Sequence, residues 1–403
     1  MRDWRVLLAT PRFRALWLAL LCYDLGSWCV MAALPILVAE RFGAGGELVV
    51  SLGLRILPKI VLAPISGGFL RRFGASRVAG FALAGEGLLT VLLPWCRDFA
   101  LLQVLIAAIG TLDVFVNPAL LSLRGPATPA GLEMAANTLC SVADRIAKIV
   151  GPMIGGIAVL AGFAPAFLAF GLVTLGAAIP VARLPVPPSD PAAPLAGRFA
   201  FFSLPAEFVA MLRGDRVLFG LLVAAVTYMV MLGGLRPFLF WANRDWFGAS
   251  DAAWTGLLAA QGTGALIGAL VSGVFSRPLL RLMSPYLLML VTGVLEGAMH
   301  LALLLTTTST QAMVVLALAS IPEILSTATW FTTMQQRLSP QRQGVFLSMS
   351  APLHDGAYAL GLLSAGLHAS GTFSLAGYWA LVSLVSTVPL LPLLVLYGRR
   401  SAK

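Results

Sequence analysis

Twelve runs of about 20 mostly apolar residues follow one another along this 403-residue chain, each long enough to cross a bilayer as a helix. They cover 15–38, 48–70, 76–96, 99–122, 134–161, 163–183, 217–241, 253–275, 285–305, 311–333, 344–367 and 375–397. Inside hydrocarbon a backbone must satisfy its own N–H and C=O groups, which makes such runs helices. A large soluble helical protein is the alternative, and composition argues against it. Hydrophobic residues make up 59% and charged residues 11%, against about 25% charged in soluble domains. The predicted fold class is all-α integral membrane, with twelve transmembrane helices.

The chain carries traces of a duplication at an ungapped offset of 210 residues. Asp113 falls on Glu323, Glu86-Gly87 on Glu296-Gly297, Arg71 on Arg281, Gly151 on Gly361 and Gly156 on Gly366, while Asp144 and Arg145 fall on His354 and Asp355. Repeated halves with membrane charges at equivalent places are how many secondary transporters are built. The expected organisation is a six-helix bundle over 1–183, a cytoplasmic linker over 184–216 and a second six-helix bundle over 217–403. The linker is Pro-rich at first (Pro185, Pro187, Pro188, Pro191, Pro194), then of mixed charge.

The net charge of +10 does not read as a nucleic-acid surface, because the basic residues sit in alternate loops. The N-terminal arm, even-numbered loops and C-terminal tail hold all but eight of the 27 Lys and Arg. Three of those eight, Arg41, Arg97 and Arg244, lie in the opposite loops, and the rest lie within spans. The positive-inside rule then places both termini in the cytoplasm of a multi-pass protein. The first apolar run is too long for a cleavable signal. Cys22, Cys29, Cys96 and Cys140 show no metal spacing.

Charges inside the spans are the strongest functional signal. Asp24, Glu86, Asp113, Asp144, Glu296, Glu323 and Asp355 are the acids, and Arg55, Lys59, Arg145, Lys148 and Arg236 the bases. Each costs about 2.5–3.5 kcal/mol at a helix centre on insertion scales, so they should face a cavity or one another. Arg55 and Lys59, spaced i, i+4, have Asp24 as their expected partner. Asp144 and Lys148 share that spacing, as do Glu296 and His300. The bland readings are structural ion pairs, an Arg236 that snorkels outward, acids that pair with basic loops, and satisfied interior histidines. Small residues at Gly151-Pro152, Gly155-Gly156, Gly361 and Gly366 suit close helix crossings. Pro118 and Pro322 each remove one backbone bond and loosen the fourth and tenth spans.

The stretch Gly67-Gly68-Phe69-Leu70-Arg71-Arg72-Phe73-Gly74-Ala75-Ser76-Arg77 resembles the signature G-x-x-x-D-R-x-G-R-[KR] of the major facilitator superfamily. Gly67, Arg72 and Gly74 match; Arg71 stands where the family has an acid. Within the superfamily the chain is most similar to the enterobactin-exporter-type branch of siderophore and macrolide exporters. Asn117-Pro118-Ala119, Arg145 through Gly156, Gly234-Leu235-Arg236-Pro237, Gly264 through Gly273 and Asp355-Gly356 carry that resemblance. It implies two pseudo-symmetric bundles in the major facilitator fold, and an exporter of a small polar or amphipathic molecule, a siderophore first.

No Walker loop, G-x-S-x-G elbow or H-E-x-x-H helix occurs, so neither an enzyme nor ATP drive is expected. Alternating access driven by proton antiport is the expectation, with Asp24, Asp113, Glu323 and Asp355 carrying protons. Arg55, Lys59, Asn117, Arg145, Arg236, Trp28, Tyr228 and Tyr358 would contact substrate. Trp241 and Trp330 could supply further flat apolar walls. Gly67, Arg72, Gly74, Gly151, Pro152 and Gly155 would serve gating and packing. No metal or cofactor is called for beyond the proton gradient. The expected partners are a small-molecule substrate and the lipid bilayer of a bacterial inner membrane, with a monomer as the working unit. A multidrug or macrolide pump, a lysophospholipid-type translocase and a cation-coupled importer are the competing readings.

Overall fold

Polar caps and prolines mark where helices begin. Asp98, Asp215, Ser284, Thr308 and Ser374 each sit just before a helix and accept a backbone N–H from its first turn. Proline occupies the first turn at Pro11, Pro285 and Pro340, where its missing N–H is no loss. The computed structural model describes residues 2–184 and 198–401, and among them only helices and turns occur. In order these are α1 (Arg2–Ala9), α2 (Pro11–Arg41), α3 (Gly46–Phe73), α4 (Ala75–Leu92), α5 (Phe99–Ala127), α6 (Glu133–Leu160), α7 (Phe163–Ala182) and α8 (Arg198–Gly214). There follow α9 (Arg216–Trp241), α10 (Asp251–Leu282), α11 (Pro285–Leu301), α12 (Ser309–Arg337), α13 (Pro340–Ser364), α14 (Gly366–Ala369), α15 (Leu375–Thr387) and α16 (Leu390–Ser401).

The twelve expected runs fall on long helices, with 76–96 and 285–305 ending in 3₁₀ turns, 344–367 reaching past α13 into α14, and the last run on α15 and α16 together. Pro389 lacks the N–H that would carry α15 on, and the chain restarts at Leu390. Nine helices among the described residues are long and apolar enough to cross a membrane. The other three long helices, α3, α6 and α13, carry Arg55 and Lys59, then Asp144, Arg145 and Lys148, then His354 and Asp355. The chain is an integral multi-pass membrane protein. Its surface agrees with that: Phe81, Leu160, Leu282 and Leu305 are each more than 70% exposed. That apolar skin would drive aggregation in water and is natural against lipid.

The chain divides into two compact units, Met1–Ala193 with Ser250–Ala259, and Pro194–Ala249 with Ala260–Lys403. Within the first, α2 packs on α6 and α7, α4 on α5 and α7, and α3 on α5. Within the second, α9 packs on α13 and α15, and α11 on α12, α15 and α16. The duplication is visible in the element bounds. Helices α5 and α12 begin and end exactly 210 residues apart, and α4 and α11 begin 210 apart and both tighten into a 3₁₀ turn. The early part of the segment expected as linker, 185–197, lies outside the described residues. Its later part folds as α8, which buries Phe208 and Met211 against Phe346 and Leu338 of the second unit.

Glycines set the closest crossings. A Cβ on Gly151 would lie 2.6 Å from the Trp28 Cβ, and one on Gly155 would lie 2.7 Å from the Cys29 carbonyl oxygen, so α6 meets α2 through bare backbone. The second unit repeats this: a Cβ on Gly233 or Gly361 would strike the carbonyl of Tyr358 or Val230. Gly366 departs from the expectation of a packing glycine. It lies past the end of α13, with nothing within 4 Å of its would-be Cβ. Gly74 joins α3 to α4 at φ +84°, a conformation that favours glycine.

Candidate functional site

Both units hold a part-buried tyrosine–acid pair among their helices. In the first, the Tyr23 hydroxyl on α2 donates to Asp113 Oδ1 on α5, and Asn117, one turn along α5, donates to the same hydroxyl oxygen at 3.4 Å. In the second, the Tyr228 hydroxyl on α9 donates to Glu323 Oε1 on α12 at 2.8 Å. Helices α5 and α12 each carry an internal proline near the acid, Pro118 five residues after Asp113 and Pro322 one before Glu323.

A third residue completes each group. Glu86 on α4 is 3% exposed and has Asp113 as its strongest charged neighbour, with Arg55 next. Glu296 on α11 is 5% exposed and has Glu323 as its charged neighbour. These two glutamates lie deep in their bundles, which sets aside the reading that they pair with basic loops. In the second unit the group opens on a cavity of about 230 Å³, walled by Tyr228, Glu296, Met289, Trp330, Phe331 and His354 among others.

A separate charged strip runs along α2 and α6. Lys148 Nζ is 3.0 Å from Asp144 Oδ2, the i, i+4 pair that the spacing implied, and lies 5.8 Å from the ring centre of Trp28. The strongest charged neighbours of Asp24 are Asp144 and Lys148. Here the expected pairing of Asp24 with Arg55 and Lys59 is replaced. Arg55 is buried at 9% exposure and donates from Nη2 to Ser27 Oγ at 3.2 Å. Lys59, one turn on, is exposed on the unit. Depth along a helix put Asp24 near the two bases; rotation about the axis turned it to α6.

The remaining expected residues are placed as follows. Arg236 on α9 has Nε and Nη1 shielded from solvent, so it does not snorkel. Arg145, Asp355 and Tyr358 are half-buried, and Asn117 is exposed beside Asp113. Pro152 is buried with Gly151 and Gly155 at the α2–α6 crossing. Arg72 is exposed, its guanidinium 5.4 Å from the ring centre of Phe73. Gly67 and Arg71 lie outside the residues whose surroundings are described. Trp241 is buried against His368 and Tyr378, and the Trp330 indole donates to the Leu221 carbonyl at 2.8 Å. His300 is a satisfied core residue: Nδ1 meets the backbone carbonyl of Glu296 at 3.0 Å and its ring meets Trp379 edge-on. Tyr23 was not among the expected site residues. Its signal in the sequence was faint, because Tyr23 and Tyr228 are 205 residues apart while the acids they hold are 210 apart.

The family described as Major Facilitator Superfamily matches residues 16–362. No curated protein matches the chain. Solved structures do. A bacterial homolog of the human lysosomal transporter Spinster is 16% identical, covering 96% of this chain and 95% of its own at a TM-score of 0.66. A peptide transporter of the POT type is 14% identical, covering 96% and 94% at a TM-score of 0.74. The human organic anion transporter MFSD10 is 17% identical, covering 94% and 97% at a TM-score of 0.66. At these identities the likeness is one of fold: two six-helix bundles of the major facilitator type.

Proposed function

The chain belongs to the major facilitator superfamily and is therefore a membrane transporter of small molecules; we propose that it is an exporter driven by proton antiport. The observation that carries this is the repeated tyrosine–acid pair, Tyr23 with Asp113 and Tyr228 with Glu323. Burial favours a neutral carboxyl and a donated hydroxyl favours the anion, so an acid held between the two can load and release a proton as its surroundings change. Asp113 and Glu323 are the first proton carriers on this reading, with Asp24 and Asp355 beside them. The two bundles rock about the substrate, opening it to one side of the membrane at a time.

The cargo proposed is a small polar or amphipathic molecule, with a siderophore as the first candidate. Support comes from the sequence resemblance and from the intramembrane cations Arg55, Lys59, Arg145 and Arg236, which suit acidic oxygens. Asn117 adds a hydrogen-bonding group, and Trp28, Tyr228 and Tyr358 add flat walls. A drug or macrolide is the second candidate, favoured by the apolar wall of Met289, Trp330 and Phe331 in the second unit. On this reading the membrane is a bacterial inner membrane, and the bias of Lys and Arg supports both termini facing the cytoplasm. The test is uptake of a labelled catecholate siderophore into inside-out vesicles with an acid lumen. Uptake that a protonophore abolishes is the expected result. Accumulation that ignores the gradient, or export activity with no pH dependence for siderophore and macrolide alike, would overturn the reading.

A further inference from the structure

Glu86 and Glu296 have no part in the reading so far, and neither behaves as a structural acid. Such an acid has its oxygens bonded, since a buried charge without hydrogen bonds is costly. Yet Glu86 Oε2 and Glu296 Oε1 are both sealed from solvent, with no hydrogen-bond partner among the described residues. Each has another acid as a charged neighbour, Asp113 on α5 and Glu323 on α12, with Arg55 also near Glu86, and each of those two acids accepts a hydrogen bond from a tyrosine. Four carboxyls are thus gathered as two pairs, one per bundle, at positions 210 residues apart. The tyrosines keep a different spacing, so the grouping has been maintained although the first helices shifted register. A packing accident in one bundle would have no reason to recur in the other.

We propose that Glu86 and Glu296 are two proton-binding sites, one in each bundle, each taking up a single proton beside the acid of α5 or α12. Two carboxylates near one another in a low-dielectric interior repel. A proton on the glutamate removes that repulsion and the cost of a buried charge with an unbonded oxygen. On loading, a proton adds to the Glu296 carboxylate and neutralises it, while Glu323 keeps the hydrogen bond that Tyr228 donates. On release that O–H bond breaks, the electron pair stays on the carboxylate and the proton passes to water. The cavity beside Glu296, whose mostly apolar wall includes Ser326 and His354, is where that proton would leave.

The ionisable groups around Glu86 are Asp113, Tyr23 and Arg55, from α5, α2 and α3. Around Glu296 they are Glu323, Tyr228 and, across the cavity, His354 of α13. His300 lies one turn along the same helix with its ring on a backbone carbonyl, and α15 and α16 bring Ser386 and Leu390 to the cavity. The use of these sites in transport rests on the proton-antiport reading; their existence does not.

The test is infrared difference spectroscopy of the purified full-length protein in lipid, stepping pH and exchanging H₂O for D₂O. A protonated carboxyl in an apolar setting gives a resolved carbonyl band that shifts in D₂O. Two such bands are expected in the wild type, with Glu86→Gln removing one, Glu296→Gln the other and the double variant both. Glu86→Asp and Glu296→Asp, each retaining a carboxyl, should move a band without deleting it. Should a Gln variant fail to fold, the two exchangeable bands of the wild type still decide. Bands that persist in both Gln variants, or a wild type with none, would overturn the proposal. Loss of the bands on adding Na⁺ at fixed pH would also overturn it, by making these sodium sites. Intact bands in a protein that shows no gradient-driven transport would instead leave the sites standing and remove the antiport reading.

Discussion

At the scale of single residues, a hydroxyl is the part of the site most open to test. Tyr228→Phe keeps the ring and removes the donor to Glu323. A hydrogen bond to a charged group contributes about 1.5–3 kcal/mol in soluble proteins, and interhelical bonds in membranes average about 0.6 kcal/mol. Thermal unfolding in detergent should therefore move little. Gradient-driven transport should fall about tenfold or more, as a shift of about 1.4 kcal/mol in the acid's charge balance would give. Tyr378→Phe is the control: its hydroxyl bonds the Gly234 carbonyl at 2.8 Å, so stability alone should change. Equal transport loss in both variants would make Tyr228 a packing residue. Lys148→Met asks a related question on α6, since it leaves Asp24 and Asp144 without their shared cation. The Lys148–Asp144 pair is about 40% exposed and worth under about 1 kcal/mol to the fold, so a drop in transport at unchanged melting temperature is expected. The acids and bases of the site were all readable from the sequence as charges where none belong. Their partners were not: helix depth follows from residue count, but azimuth depends on which neighbour the helix meets, and Asp24 turned toward α6.

At the scale of elements, the glycine crossings carry the sharpest consequence. Gly361→Ala puts a methyl into the Val230 carbonyl, and Gly233→Ala one into the Tyr358 carbonyl; backbone cannot yield as a side chain would. Overpacking costs about 1–3 kcal/mol where side chains can shift, and here α9 and α13 must separate instead. Both variants should melt well below the wild type or fail to leave the membrane as monodisperse protein. Gly356→Ala, on the same helix with open space at its Cβ, should be neutral or gain up to about 1 kcal/mol from helix propensity. If Gly356→Ala and Gly361→Ala melt alike, the α9–α13 crossing is looser than described. Of the glycines that small-residue spacing marked, Gly151, Gly155 and Gly361 lie at close helix crossings and Gly366 does not. Spacing measures only distance along a helix, and α13 ends at Ser364, before Gly366 is reached. The twelve spans themselves were legible to within a few residues because hydrocarbon leaves so little choice; the break at Pro389 interrupts the last without ending it.

At the scale of the molecule, the separate cores of the two units predict how the chain tolerates being cut. The first unit centres on Phe13, Leu16, Val116 and Leu120 at one end and Leu37, Ile106 and Phe167 at the other. The second centres on Leu221, Leu290, Trp330 and Phe346. A break within 185–197 severs neither set. The units are not wholly separate along the chain, however, for Ser250–Ala259 belongs to the first unit although its sequence lies in the second half. There Trp254 is fully buried and donates from its indole to the Ala32 carbonyl at 3.0 Å. Thr255 fills the space against Gly156, where a Cβ could not be added. A C-terminal fragment expressed alone therefore carries one large buried tryptophan without the surface that buries it, and an N-terminal fragment alone lacks the segment that covers α2 and α6. Each fragment by itself should be degraded, while co-expression of the two should restore a stable, co-purifying pair. Trp254→Ala should weaken that rescue by the loss of a buried aromatic, about 3–5 kcal/mol, and should lower the melting temperature of the uncut chain as well. The measurement is fragment yield in membranes with and without the partner. Two fragments that accumulate independently, with Trp254→Ala without effect, would show that the start of α10 is a bystander to the first unit and not part of its core.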